Sequence, residues 1–168
     1  MVDVAAATLA AIARYAPDVD VPPPAVLDQA RRNLELQASL LSEFGAVTAA
    51  ELAQLTGSRA RRPSTVVDNW RRAHKSVAVR WHGDTLIPGF LVTPEAQPDP
   101  LAQAALRILA DQRFSDWQAA LWWVVPAPAL DGTRPVDLLL EARHADAETQ
   151  RVIGERLAAA AHRRRDWF

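Results

Sequence analysis

The chain has 168 residues, with 19 lysines and arginines against 20 aspartates and glutamates for a net charge of −1, and it has no cysteine. That length supports one domain or two small ones without covalent staples, and the missing thiols exclude disulfides, thiolate nucleophiles and cysteine metal sites. No apolar run reaches the length of a membrane span and the alanine-rich start lacks a basic lead, so a cytoplasmic protein with no secretory signal and no membrane partner is expected.

Residues 1–14 place Val4, Ala5, Leu9 and Ile12 on one helical face, and the next ten residues hold four prolines, the mark of an extended linker. From Ala25 to Phe44, Leu27, Ala30, Leu34, Ala38 and Leu41 recur at helical spacing, which predicts a long helix whose stripe packs in the core or against a second copy. Thr48 and Glu51 then form a capping box for a short helix that ends at Gly57. The spacing predicts another helix from Pro63 to about His74, with Val66, Val67, Trp70 and Ala73 inward. Alternation through Val77, Val79 and Trp81, a turn at Gly83-Asp84, and Thr85, Leu86 and Ile87 predict a β-hairpin.

Charge is unevenly spread along this half. Between Arg59 and Arg80 lie seven basic residues (Arg59, Arg61, Arg62, Arg71, Arg72, Lys75, Arg80) against Asp68 alone, which is +6 and leaves −7 for the remainder. Two short helices followed by a hairpin predict a winged-helix-like helix-turn-helix over residues 25–92. In that reading Arg61, Arg62, Arg71, Arg72 and Lys75 contact phosphates of duplex operator DNA, while Ser64, Thr65, Asp68 and Asn69 approach base edges. A solvated arginine face is the alternative. Regulators that read paired half-sites need two copies, so a homo-oligomer is expected.

Residues 93–100, rich in proline and acid, are taken as a linker that separates this domain from an all-helical one over 101–168. There, Leu101 to Gln112 forms a helix with Leu101, Ala105, Ile108 and Leu109 inward. Ser115 and Gln118 cap a helix that Pro126 stops, Asp131-Gly132 sets a turn, and Pro135 opens a short helix. Asp146 caps a last helix with Val152, Ile153, Leu157, Ala160 and Ala161 inward. Because neighbouring helical positions differ by about 100°, Trp117, Trp122 and Trp123 cannot all face one core, and at least one is expected at a contact surface.

Residues 117–140 also carry the series Pro126, Leu130, Gly132, Arg134, Pro135, Val136, Asp137, Leu138 and Leu139. This spacing resembles the Xre/MbcA/ParS-like toxin-binding domain of bacterial antitoxins. The resemblance implies a partner, a RES-type toxin that consumes NAD, and repression of the protein's own operon. It implies that Trp122, Trp123, Pro126, Leu130 and Arg134 meet the toxin, and that the chain end, through Arg164, Arg165, Trp167 and Phe168, reaches the toxin's cleft. No catalytic constellation accompanies it: the four histidines are scattered, no HExxH, GxSxG or glycine-rich phosphate loop occurs, and Asp111, Asp116 and Asp137 read as caps. Neither an enzyme nor a cofactor or metal is expected. The alternative function is a stand-alone winged-helix transcriptional regulator whose helical half mediates dimerisation or other protein binding.

Overall fold

A computed structural model describes residues 23–58 and 62–163, which excludes the expected helix over 1–14 and most of the proline tract, together with Arg59, Arg61, Arg164, Arg165, Trp167 and Phe168. Among the described residues the chain is mainly helical, with seven α-helices and one small three-stranded antiparallel sheet. The order is α1 (Pro24–Phe44), β1 (Ala46–Thr48), α2 (Ala49–Leu55), α3 (Ser64–Arg72), β2 (Val79–Trp81), β3 (Asp84–Pro88), α4 (Gln103–Asp111), α5 (Asp116–Trp122), α6 (Pro135–Ala142) and α7 (Ala147–His162). Short 3-10 turns sit at Gly89–Leu91 and Pro128–Leu130. Among the described residues, contacts divide the chain into two units at Glu35–Leu36, within α1.

Local signals account for most helix starts. The Thr48 hydroxyl accepts the Glu51 amide while the Glu51 carboxylate accepts the Thr48 amide, so two of the free N–H groups at the start of α2 are satisfied reciprocally. Ser115 and Gln118 repeat this at α5, Asp146 accepts the Thr149 amide at 2.9 Å to cap α7, and Pro135 occupies the first position of α6. α1 departs from expectation. Of its stripe, Leu27 and Leu41 are half-buried, whereas Ala30, Leu34 and Ala38 are exposed, and the buried residue is Leu40.

The sheet order is β1-β3-β2, with Val47 opposite Ile87 and Arg80 opposite Thr85. The expected hairpin is present, but its turn is His82-Gly83 rather than Gly83-Asp84: Trp81 pairs with Asp84, and both turn residues have positive φ, as a two-residue hairpin loop requires. β1 was not foreseen. Three residues between a helix and a capping box are too few to show alternation, and the strand exists because β3 offers it a partner. At the end of β3 the chain passes so close to α1 that a Cβ on Gly89 would overlap the Phe44 carbonyl oxygen, while the Gly89 amide donates to the Gly45 carbonyl at 3.0 Å.

Among the described residues one apolar cluster extends from Leu40 to Ala161: Leu40, Leu52, Val67, Val79, Ile87 and Phe90 join Leu109, Trp123, Leu130, Val136, Leu139 and Leu157. The boundary expected at residues 93–100 is therefore not one. That segment folds on itself, the Thr93 amide donating to the Gln97 carbonyl and the Asp99 amide to the Leu91 carbonyl. Asp99, 1% exposed, takes Arg143 at 2.8 Å and the Leu101 amide at 2.9 Å, and Arg143 also donates to the Phe90 carbonyl. Proline and acid mark rigid turns as well as linkers, and here the buried carboxylate decides between them. Beyond it α4 packs along α7, where Gln112 donates to the Ala161 carbonyl, but Val152, expected inward, is exposed.

Candidate nucleic-acid interface

α3 is amphipathic in the expected register, although it is two residues shorter than expected at its carboxyl end and Ala73, expected inward, is exposed. Val67 is buried, and Val66 and Trp70 are half-buried against the core. The opposite face carries Asp68, Asn69, Arg71 and Arg72, all exposed, with Ser64 and Thr65 half-buried at the amino end and Arg62 and Lys75 exposed at either side. Of the nine residues expected to meet DNA, eight thus lie on or beside one helix, and Arg61 lies outside the described residues.

Two of these arginines are already engaged. The Arg72 guanidinium turns back along its own helix to Asn69 Oδ1 at 2.7 Å and the Asp68 carbonyl at 3.3 Å. Arg71 reaches across to Asp116, the first residue of α5, at 2.7 Å. With both side chains partly exposed, such a pair contributes only roughly 0.2–1 kcal/mol. It borders an open groove of about 570 Å³ lined by Asp68, Arg71, Arg72, His74, Ala110, Phe114 and Asp116. The hairpin is fixed from the same place: Trp117 Nε1 donates to the Arg80 carbonyl at 3.3 Å, and the Trp117 and Trp81 rings meet edge to face at 5.8 Å. Arg80 itself is exposed and donates to Thr85 Oγ1 across the hairpin.

Consecutive residues of α5, Asp116 and Trp117, therefore brace both α3 and the hairpin. The sequence offered no sign of this beyond a helix start, because the contacts join residues 45 and 37 positions apart.

The elbow between α5 and α6 corrects the other set of expectations. Trp122 and Trp123 are both buried, their rings edge to face at 4.9 Å, and Trp123 also packs near Phe90. The three indoles do not share one core, since Trp117 is half-buried beside the hairpin, but Trp122 and Trp123, the two expected at a partner, are the ones buried. Leu130 is 1% exposed, and of the five elbow residues expected to face a partner only Pro126 is exposed, with Arg134 half-buried. The elbow's backbone needs no partner either: the Ala127 amide donates to the Thr133 carbonyl, the Gly132 amide to the Ala127 carbonyl and the Val136 amide to the Trp123 carbonyl. Asp131 and Gly132 both take positive φ there, which is why an Asp-Gly pair stands at the turn. Arg134 grips Asp137 with two nitrogens at 2.8 Å, pairs with Glu43 and lies 5.5 Å from the Phe44 ring. Asp137 first, then Glu43, push its pKa above the ordinary arginine range. Among the described residues the Trp123 indole N–H has no partner, a cost of about 1–3 kcal/mol that the packing around the ring offsets.

Among the described residues no helix is long and apolar enough to cross a membrane, and no group of three or more histidines or acids could hold a metal ion. Neither a protein-family model nor a curated protein matches the chain. A solved structure, the NMR structure of Rv2175c, is similar to it at 29% identity, covering 69% of this chain and 80% of that one with a TM-score of 0.50, so the fold is shared with a protein studied in solution.

Proposed function

We propose that this protein is a non-enzymatic DNA-binding regulator in which α2, α3 and the β2–β3 hairpin act as a winged helix-turn-helix, with α3 entering the major groove. The observation that carries the reading is the outward face of α3, where Asp68, Asn69, Arg71 and Arg72 have no part in the core. Ser64, Thr65, Asp68 and Asn69 approach base edges, while Arg62, Arg71, Arg72 and Lys75 meet phosphates. The hairpin that follows the helix pair, with Arg80 exposed beside its turn, supports a wing that touches the backbone. Electrophoretic shifts of a duplex from upstream of the protein's own gene, at two ionic strengths, test it. Binding that weakens steeply with salt is expected, and its absence at the lower ionic strength would sink the reading and leave a solvated arginine face. The working unit is a homodimer, since paired half-sites need two copies, and a monomer mass by light scattering at micromolar concentration would refute that.

The narrower reading, an antitoxin that neutralises a RES-type toxin and represses its operon, rests on the spacing from Pro126 to Leu139. With Trp122, Trp123 and Leu130 inside, contact would fall to Pro126, Arg134 and the chain end. Co-expression with a RES-type toxin tests it: failure of the full chain to restore growth or to co-purify with the toxin counts against this reading and leaves the regulator.

A further inference from the structure

We propose that Asp116 stands in for a DNA phosphate within the free protein: it holds the Arg71 guanidinium, and a duplex must displace it before Arg71 can reach the backbone. The inference rests on the DNA-binding reading and goes beyond it by naming a residue outside the binding face that sets affinity.

Three observations support it. Arg71 lies in the last turn of α3, the end that lies along the backbone when the amino end reads bases, and among the described residues its ion pair is with Asp116 alone. The pair is open to solvent, with side-chain exposures of 58% for Arg71 and 27% for Asp116, and the groove beside it gives a phosphate room to approach. Asp116 also cannot retreat. Its neighbour Trp117 is tied to the Arg80 carbonyl and to the Trp81 ring, so the start of α5 stays where it is while the longer arginine side chain swings away.

Arg72 shows what is special here, because its acceptors are the neutral Asn69 amide and a backbone carbonyl, which a phosphate outcompetes without leaving a bare charge. For Arg71 to reach a phosphate, its ion pair with the Asp116 carboxylate must first be given up. Asp116 therefore weakens binding to any duplex, whatever its sequence, and raises the fraction of the total affinity that base contacts must supply.

Fluorescence anisotropy of a labelled mixed-sequence duplex, titrated with the full chain at salt from about 50 to about 200 mM, tests the proposal. Asp116→Asn is expected to tighten binding by about two- to fivefold. Asp116→Glu, which keeps the charge, should stay near the parent, and Asp116→Asn made in an Arg71→Ala background should gain much less. A thermal melt of each variant separates loss of fold from loss of binding. If the parent fails to bind and Asp116→Asn binds, the proposal stands in its strongest form. Equal affinity of parent and Asp116→Asn overturns the proposal while leaving the DNA reading intact, and so does an equal gain with and without Arg71, which would mark a general field effect. No binding by any form at the lowest salt overturns both.

Discussion

α3 and the elbow between α5 and α6 use their residues in opposite ways. α3 commits Val67 and part of Trp70 to the core and leaves Asp68, Asn69, Arg71 and Arg72 at the surface with only light contacts. In the elbow nearly every residue of the recognisable series has a folding role: Leu130 fills the core, Asp131 and Gly132 take the left-handed turn, Arg134 clasps Asp137 and Glu43, Pro135 starts α6, and Val136 is buried. The stretch with the most legible pattern is thus the one most occupied with its own architecture. A tight turn between two helices imposes a residue type at each step, whereas a surface helix constrains only one stripe. Chemistry aimed at a partner is better sought where side chains do nothing for the fold.

Substitutions sharpen this contrast, and the largest effect is expected at the junction that supports the elbow side. Arg143→Ala leaves Asp99 buried without its cation and should lower stability by about 3–5 kcal/mol in urea denaturation, with DNA binding lost only through unfolding. Leu130→Ala should cost about 2–5 kcal/mol; a loss below about 1 kcal/mol would mean that the elbow leucine is free to face a partner, and the contrast would collapse. On α3 the signs reverse. Arg72→Ala and Asn69→Ala should each change stability by less than about 0.5 kcal/mol, yet Arg72→Ala should reduce the salt slope of duplex binding by about 0.9. A destabilisation of α3 variants as large as that of Leu130→Ala would show the two regions to be alike.

Acid should separate the regions least. The Thr48 backbone and hydroxyl hold Glu51 below the ordinary carboxylate range, and the Thr149 backbone and hydroxyl do the same for Asp146. A carboxyl depressed in the folded state adds stability that is present above its unfolded value and is lost as pH falls through the folded one. Thermal melts should therefore drop on acidification below the ordinary carboxylate range, and less steeply in Asp146→Asn, which keeps the cap but does not titrate. An unchanged acid limb in that variant would remove Asp146 from the account.

What the sequence displayed well was whatever is settled within four residues: both capping boxes, the Asp146 cap, Pro135 at a helix start, and the hairpin. It concealed what depends on distant partners. β1 needs β3, the 93–100 segment needs Arg143, and the Arg71–Asp116 pair needs α3 beside α5. Trp122 and Trp123 are both buried because the core covers more than one side of the end of α5, a fact that periodicity within a helix cannot carry. Charge and helical face alone proposed nine residues for DNA; of these Arg62, Asp68, Asn69, Arg71, Arg72 and Lys75 are exposed and Ser64 and Thr65 half-buried, and neither signal showed what holds two of the arginines.

The same geometry has an optical consequence. Trp122 and Trp123 form an edge-on indole pair in a dry interior, while Trp81 and Trp117 form a second, half-exposed pair beside the hairpin turn. Unfolding should shift the emission of the first pair to longer wavelength as water reaches it, and a duplex laid against the hairpin should quench the second pair while leaving the first unaltered. With the emission of Trp70 and Trp167 added to both, the unlabelled protein thus carries one indole pair that reports on its interior and another that reports on the face proposed to meet DNA.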